Sequence, residues 1–162
     1  NDFGFSPGGV LNPDGRTQYF YVATGSSPVF SQKMVGKSSQ YAFATQDADG
    51  QYLDGGRSYR LHLPAGIPVK NFWSLVVYDS QTRSMLQTDQ RFPSVSSQKP
   101  DLIVDPDTSV DVYFGPTPPS GQEANWVQTV PGKGWWIVLR LYGPLEPWFD
   151  KSWRPGEIER VT

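Results

Sequence analysis

Asn71-Phe72-Trp73-Ser74-Leu75-Val76-Val77-Tyr78 is apolar at nearly every position. A short run of this kind reads as a central strand covered on both faces, or as a strand at the core of a larger assembly. Further along the chain, Val110, Val112 and Phe114 alternate with Asp111 and Tyr113, the period-two pattern of a half-buried strand. Thr17–Thr24, Tyr41–Gln46 and Tyr59–Leu63 read as strands, with shorter ones at Ser84–Gln87 and Leu102–Val104. Ala124–Val130 and Trp135–Tyr142 are expected to form a hairpin around Pro131-Gly132-Lys133-Gly134. Turn residues punctuate these runs at Asn12-Pro13-Asp14-Gly15, Asp47-Ala48-Asp49-Gly50 and Gly55-Gly56. Gly25 to Ser39 reads as a long connection. The tail from Gly143 has no periodic pattern, and only Glu146–Trp153 reads as a helical turn or two.

Roughly nine strands at this spacing favour a sandwich over a sheet crossed by helices. The expected fold is all-β, a jelly-roll-like antiparallel β-sandwich with one or two short helical turns. Composition agrees: 14% aromatic residues with 16 Gly and 15 Pro suit short strands and tight turns. A chain of 162 residues is read as one domain over 1–162, long enough to bury its own core.

The net charge of -2 and the absence of long like-charge runs leave no footprint for nucleic acid or an anionic membrane. No apolar stretch reaches membrane-spanning length, so membrane insertion is set aside. With no cysteine there is no disulfide, thiolate nucleophile or Cys-based zinc site. The chain opens at Asn1-Asp2-Phe3, with neither an initiator Met nor a signal peptide. It is therefore expected to be a fragment or a processed form of a longer protein.

Several longer motifs stand out. Pro68-Val69-Lys70-Asn71-Phe72-Trp73-Ser74 leads to Tyr78-Asp79 and Gln81-Thr82-Arg83-Ser84-Met85-Leu86-Gln87-Thr88-Asp89. Asp111-Val112-Tyr113-Phe114-Gly115-Pro116 follows, then Asn125-Trp126-Val127-Gln128-Thr129-Val130-Pro131-Gly132-Lys133-Gly134-Trp135. The last are Leu139-Arg140-Leu141-Tyr142-Gly143-Pro144-Leu145-Glu146-Pro147-Trp148-Phe149 and Trp153-Arg154-Pro155-Gly156-Glu157. Together these resemble the bacterial family known as domain of unknown function 1214, over about Gly36 to Val161. The resemblance implies a β-sandwich that follows a second domain, domain of unknown function 1254, in one chain. It also implies a periplasmic or secreted location, with the signal region outside this chain. It brings no reaction and no catalytic residues.

The candidate chemistry is sparse. His62, the lone histidine, lies between Leu61 and Leu63 and so faces away from them. It could act as a general base, but no Gly-x-Ser-x-Gly nucleophile motif accompanies it. Glu123, Glu146 and Asp150 lie near aromatic residues and are the acids that could pair for glycoside hydrolysis. Trp126 and Trp148 could stack on a sugar ring, although core or interface packing is the plainer reading of the late tryptophans. Arg83, Lys133, Arg140 and Arg154 sit within the motifs and either form ion pairs or hold an anion. Asp47 to Asp54 carries three carboxylates, but its ligand pattern is incomplete for a hard cation and Asp-Gly is a hairpin turn signal. No metal and no cofactor is expected there or elsewhere. The reading is a structural and interaction module, partnered by the upstream domain or by another copy of itself. The alternatives are a hydrolase with its site between domains, or a module binding a carbohydrate or other small molecule.

Overall fold

The apolar run around Trp73 becomes the longest strand of a two-sheet sandwich. This computed structural model describes residues 32–161, and Pro13 alone before them. The turn expected around Pro13, the Thr17–Thr24 strand and the first part of the Gly25–Ser39 connection, residues 25–31, therefore fall outside the described residues. Met34–Thr162 is one unit, the one that carries the sandwich, and Asn1–Lys33 is another.

Eight strands are seen among the described residues: β1 (Ser39–Ala44), β2 (Ser58–Leu63), β3 (Val69–Asp79), β4 (Ser94–Ser96), β5 (Val110–Gly115), β6 (Trp126–Gln128), β7 (Trp135–Pro144) and β8 (Ile158–Val161). One sheet runs β1-β7-β3-β4 and the other β6-β5-β2-β8. Every pairing is antiparallel except β5 with β6, which is parallel, so the second sheet is mixed. The architecture is a β-sandwich. Helical structure within residues 32–161 is a short helix, Glu146–Phe149, and a 3-10 turn, Glu123–Asn125. No helix among them is long and apolar enough to cross a membrane.

Alternation decides which side chains meet between the sheets. Tyr59, Leu61 and Leu63 of β2 and Val110, Val112 and Phe114 of β5 face Trp73, Leu75 and Val77 of β3 and Trp135, Ile137, Leu139 and Leu141 of β7. All are buried, and each large apolar side chain removed from water contributes about 1.5–3 kcal/mol. Trp135 anchors one end of this core, with ring centroids 5.5 Å from Tyr59 and 5.0 Å from Phe114. The aperiodic tail joins in: Trp148, Trp153 and Ile158 all enter the core cluster.

Three expectations are corrected. Ala124–Val130 and Trp135–Tyr142 do not form a hairpin, because β6 pairs with β5 while β7 pairs with β1 and β3 in the other sheet. Pro131–Gly134 is thus a crossing between sheets. Leu102–Val104 is not a strand. The backbone of Ile103 is satisfied by a side chain instead, donating to Oδ1 of Asn125 at 2.9 Å and accepting from its Nδ2 at 2.7 Å. Ser84–Gln87 is reduced to a single bridge, Tyr78 with Met85, beyond the turn that Asp79 closes.

The expectation that Asn71–Tyr78 is covered on both faces has a specific answer. The outer face of β3 and β7 carries cross-strand aromatic stacks, Phe72 on Tyr142 at 4.1 Å and Tyr78 on Trp136 at 4.7 Å. Val76 and Val138, directly opposite each other, are buried on this face.

Candidate functional site

Asp79 closes β3 and organises the loop that follows. Its Oδ1 accepts the backbone N–H groups of Gln81 at 2.7 Å and Thr82 at 3.0 Å, and Nζ of Lys133 donates to Oδ2 at 3.1 Å. The Thr82 N–H, then the Gln81 N–H, then Lys133 hold this carboxyl at about 2, well below the ordinary range. The turn obliges Arg83 to take a left-handed backbone, φ 60°, with its N–H donating to the Asp79 carbonyl at 2.9 Å. Non-glycine residues enter that region at a cost of about 1–2 kcal/mol.

Arg83 stands at the rim of a cavity of about 590 Å³ with Phe43, Thr45, Tyr52, Ser80 and Trp136 around it and Trp135 and Leu53 beneath. Trp135 is 1% exposed, and its indole N–H has no hydrogen-bond partner among the described residues. A second cavity, about 370 Å³, opens between the β1 edge of one sheet and the β8 edge of the other. Its floor holds Ala42, Ala44, Leu61, Ile137 and Ile158, and its walls hold Trp148 and Trp153. Lys151, again at positive φ (65°), and Arg154 stand at its rim with Glu157. Residues held in sparsely populated backbone regions cluster at functional sites, and here each cavity has one such cation.

Phe43 belongs to both cavities. It alternates along β1 with Ala42 and Ala44, which turn inward, and is itself 74% exposed. Tyr52, across the larger cavity, is 77% exposed. These two aromatic side chains were not singled out in the sequence. The only signal for Phe43 was the Ala-Phe-Ala alternation, which also fits an ordinary surface strand.

The remaining sequence candidates are dispersed. His62 faces outward on β2 as expected, opposite Asp111 on β5, with Nδ1 2.7 Å from Oδ1 of Asp111. Arg60 extends the row, 3.5 Å from Asp111 and 2.7 Å from Glu159 on β8. The Glu159 hydrogen bond, together with the nearby Asp111 charge, raises the guanidinium pKa. This is an ionic ladder on an open sheet face, and His62 lines neither of the two cavities. Glu123 sits in the 3-10 turn, accepting the Gly121 N–H at 3.1 Å, whereas Glu146 opens the short helix after β7 and Asp150 directly follows it. Asp150 caps its own loop by accepting the Ser152 N–H at 2.8 Å. Trp126 is half-buried, donating from Nε1 to the Gly115 carbonyl at 3.0 Å. Lys133 is taken by Asp79, and Arg140 donates to the Tyr78 hydroxyl at 2.5 Å. Arg83 stands at the larger cavity and Trp148 and Arg154 at the smaller one.

The Asp47–Gly50 segment is a turn closed by its own atoms. Oδ1 of Asp47 accepts the N–H groups of Asp49 at 3.1 Å and Gln51 at 2.8 Å, and Gln46 bridges to Tyr52. No cluster of His, Asp and Glu suited to a metal ion is gathered among the described residues.

The family model described as "Protein of unknown function (DUF1214)" matches residues 38–146. The crystal structure of the VPA0106 protein from Vibrio parahaemolyticus aligns with a TM-score of 0.68 at 23% identity, over 92% of this chain and 35% of that one. That likeness shows the fold alone. A putative uncharacterized protein from Burkholderia cenocepacia aligns at 20% identity and a TM-score of 0.49, over 93% of this chain and 43% of that one, too distantly to argue from. This chain therefore spans less than half the length of either solved chain. No curated protein matches it.

Proposed function

Because the chain belongs to the DUF1214 family, whose description assigns no activity, we propose that Met34–Thr162 is a docking module that completes a larger protein. The observation that carries this is the β1 strip. Phe43 and Tyr52 hold large aromatic surfaces in water, and both line the larger cavity, which a partner's side chains can fill. Aromatic anchors beside pockets are the usual energetic centre of an interface. The partner proposed is the upstream domain of the same polypeptide, exported with it. The length of the Vibrio chain, of which this one covers 35%, supports a companion of that kind.

Hydrogen exchange on the longer protein and on the 162-residue chain alone tests the reading. Amides of Ser39–Ala44 and of the Tyr52 region should exchange several-fold more slowly in the longer protein. Phe43→Ser with Tyr52→Ser should remove that difference while the melting temperature of the chain alone is kept. Equal exchange in the two contexts would overturn the proposal.

A further inference from the structure

The groove between the β1 and β8 edges has a chemistry of its own, beyond docking. Its floor is aliphatic, from Ala44, Leu61, Ile137 and Ile158, at the margin of the core. Its rim is cationic. Arg154 is exposed and has no ion-pair partner among the described residues. The Lys151 ammonium lies 4.8 Å from the Trp148 ring centroid, a contact that leaves its charge unneutralised. Glu157 offsets one of these two charges, so the rim carries a net charge of about one positive unit, which suits a singly charged head better than a phosphate dianion. An arginine fork matches a carboxylate in shape as well as sign. A volume of about 370 Å³ lies within the range of small-molecule sites, which combine an apolar lining with a few placed polar groups.

We propose that this groove binds a small amphipathic carboxylate, with its aliphatic body on the floor and its head at Arg154 and Lys151. Trp148 and Trp153 both line the groove, so part of the emission of the chain's six tryptophans responds to occupancy.

Decanoate, kept below its micellar range and titrated into the 162-residue chain, is the test, read by tryptophan emission and by calorimetry. Saturable binding with a single site is expected. Decanol, of the same chain length but uncharged, should bind roughly tenfold or more weakly, as should decanoate to Arg154→Gln. Lys151→Gln should weaken it by a smaller factor. Both variants lie on exposed side chains and should melt like the parent, so loss of binding would not reflect unfolding. Absence of saturable binding, equal affinity for decanol, or undiminished binding by Arg154→Gln would each overturn the proposal. None of these variants alters Phe43 or Tyr52, so the docking reading stands or falls separately.

Discussion

Lys133, on the crossing between the two sheets, donates its ammonium to Oδ2 of Asp79 at 3.1 Å, while Oδ1 of the same carboxylate holds the turn that carries Arg83. One buried acid thus fastens the β6–β7 crossing to the wall of the larger cavity.

Acid should reveal this link. With the Asp79 carboxyl held at about 2 in the fold against an ordinary value of 3.8, its stabilisation is complete above about pH 4. It falls as pH drops through that interval and is gone below about 2. Melting curves of Asp79→Asn should therefore lie below the parent at pH 6 and converge on it towards pH 2. A gap that persisted unchanged at pH 2 would mean the loss is steric rather than ionic.

Gly55 is required for close approach. A Cβ there would lie 2.1 Å from the Val130 carbonyl oxygen, in backbone that Thr129 and Lys133 bind back to Gly55. Gly55→Ala should cost about 3 kcal/mol or more in denaturant titration. Gly50→Ala, at φ 74° with nothing within 4 Å of the new atom, should cost only about 1 kcal/mol.

Asn125 is buried, and its amide meets three backbone groups: the N–H and carbonyl of Ile103 and the carbonyl of Asp111, the last at 2.9 Å. Asn125→Leu should lose about 3 kcal/mol or more, since those groups are left unpaired. Exchange of the Ile103 amide should accelerate at the same time.

His62→Ala should change stability by less than about 1 kcal/mol, as expected for an exposed cross-strand pair. If a hydrolytic activity is found in this chain, the variant should retain it. Loss of activity with the fold intact would show instead that His62 takes part in the chemistry.

Local pattern made part of the fold legible. Val110, Val112 and Phe114 declared their buried face by alternation, and the Asn71–Tyr78 run declared an interior strand. Strand partners were not legible, because sequence nearness suggested that β6 and β7 would pair while the crossing at Pro131–Gly134 sends them to different sheets. β8 was missed because Ile158-Glu159-Arg160-Val161 buries only Ile158 between the sheets, too short a pattern to distinguish from a loop. In β4, Ser94-Val95-Ser96, a single valine carries the whole signal. For the site, Arg83, Trp148 and Arg154 were named from their motifs, yet nothing local distinguished them from Lys133 and Arg140, which the fold uses internally. Only three-dimensional neighbours make that separation.

The sheet order β1-β7-β3-β4 has a consequence for how the protein is made. β7 fills the place between β1 and β3, yet it leaves the ribosome after both, and after β4, β5 and β6 as well. Until Trp135–Pro144 has emerged, the nascent chain holds two aromatic-rich strands whose facing edges have no native partner. Such edges recruit one another between neighbouring nascent chains. Vectorial synthesis thus imposes a waiting period on this fold, and slowing translation ahead of Trp135 should raise the yield of insoluble product more than slowing it after Pro144.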